Sequence, residues 1–182
     1  MGKKFINIFL CSVFIILFIF PPPIFPHETR APLMYPLSGK IITGFREEYF
    51  DHERSACYRH TGIDICGEPG EKVAASGNGT VSYTGFSPTG GLTVVIRHNV
   101  KIRTTYLNLA SICVHCGDMV RQGDMIGRIG ADNDPSSSQC HLHFGIIYED
   151  SYLDPVQVLD LDYDSISPYL SLMYVERDFK IY

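Results

Sequence analysis

Cys140-His141-Leu142-His143-Phe144-Gly145 is the stretch on which the reading of this chain turns. As a strand, its two-residue period points both imidazoles to one face and Leu142 to the other. Two imidazoles so placed can share one metal ion, or divide into a ligand and a proton-transfer group. An isolated His-x-His carries little weight by itself. A second polar pair far upstream, His60 and Asp64, gives it a partner.

His60 and Asp64 are separated by an even number of positions, so a strand puts them on one face. Gly62 and the β-branched Ile63 and Ile65 between and beside them argue against a local helix. His60, Asp64 and one histidine of the later pair supply two nitrogens and one oxygen. That leaves the fourth corner of a tetrahedron open, the format of a catalytic zinc site rather than a closed structural one. Zinc in such a site brings the pKa of water toward roughly 7 and polarises a carbonyl. The remaining histidine is then available to move a proton or steady an oxyanion.

The surrounding sequence is a succession of short β-like pieces. Lys40–Phe45, Lys72–Ala75, Gly79–Thr84, Leu92–Arg97, Ile102–Leu107 and His141–Tyr148 alternate or run apolar between Gly, Pro and Asn punctuation. Gly67-Glu-Pro-Gly70 is a turn, and residues 117–130 read as two short strands, each entered through Gly-Asp-Met. Residues 46–54 (REEYFDHER) read as a charged, solvated loop. The expected fold is all-β, an antiparallel domain of two curled sheets packed face to face.

With 182 residues, 45% hydrophobic and 12% aromatic, the chain can bury the core of one domain. A net charge of -5 without long runs of one sign argues against nucleic acid as a partner. Residues 1–26 differ in kind: a Met-Gly-Lys-Lys start, an apolar run from Phe5 to Phe20, then Pro21-Pro22-Pro23. They read as a signal peptide or an N-terminal membrane anchor. In both readings the lysines before the run place the remainder outside the cytoplasm. Residues 27–38 read as a linker, 39–159 as the domain, and 160–182 as an acidic, tyrosine-rich tail.

Five cysteines follow the apolar run: Cys57, Cys66, Cys113, Cys116 and Cys140. In an oxidising compartment they point to disulfides, with the odd number leaving at least one free or paired between chains. Cys113-x-x-Cys116 lacks a second such pair to complete a zinc knuckle.

Tyr58-Arg-His60-Thr-Gly-Ile-Asp64 resembles the first metal motif, His-x-x-x-Asp, of the lysostaphin-type (LytM-type) zinc peptidoglycan endopeptidases. Cys140-His141-Leu-His143-Phe144 resembles their His-x-His motif, and Pro69–Val81 and Val114–Gly130 resemble the segments between. The resemblance runs from about Pro36 to Tyr148, with Leu153-Asp-Pro155 as a familiar closing phrase. It implies a β domain with a groove across it and zinc held by His60, Asp64 and His143. His141 is then the unligated catalytic histidine. The implied reaction is hydrolysis of stem or cross-bridge peptide bonds in bacterial peptidoglycan.

One departure matters. Active members of the family carry a Tyr-x-His-Leu segment whose histidine faces the metal, and this chain has Tyr106-Leu-Asn108-Leu109. An asparagine can donate to an oxyanion but is no acid or base near neutral pH. Weakening one such donor costs about 3–4 kcal/mol. Asn108 therefore stands as the expected second catalytic residue. It also motivates an alternative: a weak or inactive zinc-binding relative that binds peptidoglycan or a cell-envelope partner protein. Tyr106 is a candidate for lining the groove, against the plainer reading of a packed aromatic. His98 and His115 are read as structural or surface residues.

Overall fold

The computed structural model describes residues 31–51, 55–88, 90–130 and 139–162. The apolar N-terminal segment and most of the acidic tail lie outside the described residues. Among the described residues, no helix is long and apolar enough to cross a membrane. Twelve strands and one short helix follow in order: β1 (Ile41–Thr43), β2 (Glu48–Asp51), β3 (Ala56–Arg59), β4 (Ile63–Cys66), β5 (Lys72–Ala74), β6 (Gly79–Ser87), β7 (Gly91–Arg97), β8 (Ile102–Ile112), β9 (Met119–Val120), β10 (Met125–Ile129), β11 (His141–Tyr148), β12 (Ser151–Leu153) and α1 (Pro155–Leu159). The domain is mostly β and antiparallel, in two sheets and without a closed barrel, as the alternating patterns predict.

The large sheet has ten strands, with the path β1-β4-β11-β8-β7-β6-β9 and branches at β10, β5 and β12. The fork lies in β8. Its first part, Ile102–Leu107, pairs with β11, while Leu109, Ser111 and Ile112 pair with β10. Between the two sits Asn108 with a left-handed φ of 63°, one of four non-glycine residues with positive φ among those described. A short amide side chain tolerates that conformation better than most. The bend lets one long strand serve two layers.

Alternation decides what is buried. Ile63 and Ile65 of β4 and Leu142, Phe144 and Ile146 of β11 face the core, each at 0–1% exposure. Each such side chain contributes about 1.5–3 kcal/mol relative to exposure. Tyr106 joins them at 0% exposure, its ring 5.4 Å from that of Phe144. Its hydroxyl accepts from the Ser76 amide at 2.8 Å and bonds the Thr104 hydroxyl at 2.9 Å. The proposed placement of Tyr106 in the groove is therefore corrected: it belongs to the core face of β8, together with Thr104.

Three other expectations change. Residues 48–51 are not loop but strand β2, which pairs with β3 in a separate two-stranded sheet. Opposing Tyr49 and Tyr58, which stack at 6.0 Å, offset the charge that suggested a solvated loop. The linker reading fails over residues 31–38, because Leu33 and Leu37 enter the core and backbone bonds tie Met34 to Ser76 and Ala74 to Pro36. The expected disulfides are absent: all five described cysteines are free. Neither strand cysteine faces another: Cys57 lies opposite Phe50, and Cys66 lies opposite His141.

Candidate metal centre

β4 and β11 are antiparallel neighbours in a register that sets Asp64 directly opposite His143 and Cys66 opposite His141. Opposed residues share a face, so the alternate positions His141 and His143 come to the side of Asp64 while Leu142 goes to the core. The close approach of the two segments requires Gly62. A Cβ there would lie 2.2 Å from the Phe144 carbonyl oxygen and 3.1 Å from His143 Nε2.

His60 arrives from the end of β3. Its amide donates to the Glu47 carbonyl and its own carbonyl accepts from Arg46. Its ring Nδ1 lies 2.9 Å from the Gly44 carbonyl oxygen, so Nδ1 carries the proton and Nε2 points into the site. There, His60 Nε2 is 3.0 Å from Asp64 Oδ1 and 2.9 Å from His143 Nδ1, and the latter two atoms are 3.1 Å apart. His60 and Asp64 are buried, at 7% and 6% exposure.

These edges are close to the ~3.3 Å expected between donors of a tetrahedron with ligands about 2.0–2.1 Å from zinc. Among the described residues, His60, Asp64 and His143 form the group able to hold a metal ion. The electrostatics point the same way. Burial alone would raise the Asp64 carboxyl, but hydrogen bonds and charge from His143 and His60 hold it well below the usual carboxylate range. Burial opposes a charge on His60, yet its bond to Asp64, with support from the Gly44 carbonyl, raises its pKa. The pocket is built to carry positive charge, which a divalent cation supplies without protons. The donor set therefore fits zinc.

His141 sits beside the triad at 1% exposure, with Nε2 4.0 Å from Asp64 Oδ1. Its Nδ1 lies 2.9 Å from the Gln139 carbonyl oxygen, which assigns the proton to Nδ1 and turns the lone-pair nitrogen toward the site. Asn108, expected to face the metal, directs its side-chain amide at the His141 backbone carbonyl, 3.0 Å away. Its own amide donates to Gly90 and its carbonyl accepts from Gly130. His98 is structural, bridging the Asn78 carbonyl and the Thr104 hydroxyl, each at 2.8 Å. His115 is on the surface, its side chain 91% exposed. The motifs did not flag Thr105 and Tyr152, which lie beside Gly145 on the same face of the sheet as His143.

Residues 58–155 match the model of Peptidase family M23. The chain belongs to peptidase family M23. A solved zinc-containing peptidase from Vibrio cholerae is similar at 29% identity and a TM-score of 0.62, covering 73% of this chain and 40% of that one. The catalytic domain of lysostaphin from Staphylococcus simulans, an antimicrobial peptidase, is similar at 26% identity and a TM-score of 0.59, covering 66% of this chain and 92% of that domain. The murein hydrolase activator NlpD of Salmonella typhimurium is 28% identical over 136 residues, 72% of this chain and 33% of that protein. The chain spans about a fifth to a third of the length of the first curated relatives it matches. The M23 fold and its His–Asp–His triad are thus in place, with the character of a zinc-peptidase site.

Proposed function

We propose that this M23 chain is a zinc metallopeptidase that hydrolyses peptide bonds of bacterial cell-wall peptidoglycan, outside the cytoplasm. The convergence of His60 Nε2, Asp64 Oδ1 and His143 Nδ1 within 2.9–3.1 Å of one another carries the reading. His60, Asp64 and His143 hold the ion, and zinc, when bound, supplies Lewis acidity toward a carbonyl and activates water. His141 presents a lone-pair nitrogen on the same side and accepts or returns the proton of the hydrolysis. The Gln139 carbonyl keeps the ring in that tautomer. The basic, apolar N-terminal segment supports an extracytoplasmic location, secreted or anchored, where peptidoglycan lies. The name of the Salmonella relative ties a similar domain to murein.

A second reading rests on Asn108. Its amide is engaged with a backbone carbonyl, and it offers no acid or base across the groove. A weak or inactive domain that grips peptidoglycan or an envelope protein fits this feature, and the same relative is named an activator. Digestion of purified peptidoglycan separates the two. New amine ends released by the wild type and lost in His141→Ala support the enzyme; a zinc-loaded chain releasing none supports the binder.

A further inference from the structure

The metal-bearing face of the sheet continues past His143. Gly145 is next on that face of β11, and it lies opposite Thr105 of β8, which in turn lies opposite Val95 of β7. A Cβ on Gly145 would come 2.6 Å from Thr105 Oγ1, 3.4 Å from the Tyr152 ring and 3.6 Å from the Thr61 carbonyl oxygen. The Thr105 hydroxyl thus stands over bare backbone, walled on one side by a tyrosine that is 41% exposed. Thr105 itself is only 7% exposed. Its hydroxyl has no hydrogen-bond partner among the described residues, and it is not among the sealed-off polar atoms. The side chain is thus largely buried while its hydroxyl oxygen remains reachable from outside, able to take an external partner. Its neighbours on β8 differ: Thr104 bonds His98 and Tyr106 on the core side.

We infer that Thr105, with Tyr152 as its wall, is a substrate-positioning subsite whose hydroxyl bonds a backbone amide or carbonyl of an extended peptide. The inference rests on the peptidase or peptidoglycan-binding reading of the same groove. Two residues along β11 from His143 is about 7 Å, so the bond falls about two residues from the peptide unit held at the metal. A hydroxyl both donates and accepts, which suits either group of a peptide bond. Thr105 and the Tyr152 ring already stand beside Gly145, so the peptide passes across this point rather than into it.

The test uses the zinc-loaded chain and soluble muropeptides released from purified peptidoglycan by a muramidase, with binding followed by calorimetry. Thr105→Val keeps the shape and removes the hydroxyl; Thr105→Ser keeps the hydroxyl. The expected result is binding about three- to tenfold weaker for Thr105→Val, near-wild-type binding for Thr105→Ser, and unchanged zinc content and melting temperature for both. Where the wild type turns over, the loss for Thr105→Val appears in KM rather than kcat. Wild-type affinity retained by Thr105→Val overturns the subsite and leaves the function standing. A zinc-loaded wild type that neither binds nor cleaves muropeptides overturns both. If Thr105→Val unfolds, a muropeptide-induced shift of the Thr105 amide resonance in the wild type supports the subsite, and an unmoved resonance overturns it.

Discussion

Asn108 donates from its side-chain amide to the backbone carbonyl of His141 across 3.0 Å. The residue sits where β8 changes partner from β11 to β10, and the bond fastens the start of β11 to that fork. The same residue holds φ at 63°. Asn108 thereby positions the backbone that carries His141 and, two residues on, His143.

Replacement of Asn108 should separate strain from bonding. Asn108→Gly loses the brace but accepts the left-handed conformation, costing about 1 kcal/mol. Asn108→Ala loses the brace and adds strain, costing about 2 kcal/mol in total. Urea unfolding of the two variants measures the difference, and equal stabilities would show that the conformation is not held.

Metal content should track the triad. Purified wild type should carry about one zinc per chain, whereas His60→Ala and His143→Ala should lose it. His141→Ala should keep zinc, because its ring stands beside the triad rather than in it. Elemental analysis after dialysis checks this, and a folded wild type free of metal would exclude zinc chemistry.

Gly62→Ala should be disproportionately harmful for a single methyl group. The added carbon meets the Phe144 carbonyl at 2.2 Å, so β4 and β11 must part. Overpacking of this kind costs about 1–3 kcal/mol, and the displaced His143 should weaken zinc binding as well. Thermal unfolding together with zinc titration reads both effects; a variant as stable and as tightly zinc-loaded as the wild type would contradict the close approach.

Stability should fall in mild acid through His98. Burial depresses its pKa below the ordinary 6.5, against a smaller opposing effect of the Asn78 carbonyl. The unfolded chain therefore binds the proton more readily, and stability drops as pH falls through the unfolded value toward the folded one. Above that window both states are neutral, and His98 contributes no slope. Denaturant unfolding between pH 7 and 5 should show a decline that is reduced in His98→Gln.

Much of the site was legible from residue spacing. The two-residue period of a strand put His141 and His143 on one face and Leu142 on the other, because only side-chain alternation is needed for that. Strand β2 was not legible: Glu48 and Asp51 hide the Tyr49–Tyr58 pair, which exists only once β3 lies alongside. Residues 31–38 carried prolines that suggested a linker, yet Leu33 and Leu37 find the core from an irregular backbone. The cysteines suggested pairing, but pairing depends on register, which composition does not contain.

The sequence by itself determined the identities of His60, Asp64, His141 and His143 and the shared face of the two β11 histidines, since these follow from residue type and backbone period. It did not determine the turn between β3 and β4 that brings His60 to Asp64. Only the tertiary structure decided that Asp64 and His143, 79 residues apart, meet across one strand pair, that Tyr106 turns to the core, and that Asn108 bonds the backbone carbonyl of His141. The physical reason is that local alternation chooses between two faces, whereas strand order and register are long-range choices. They are made by burying the apolar faces of β4, β11 and β8 together.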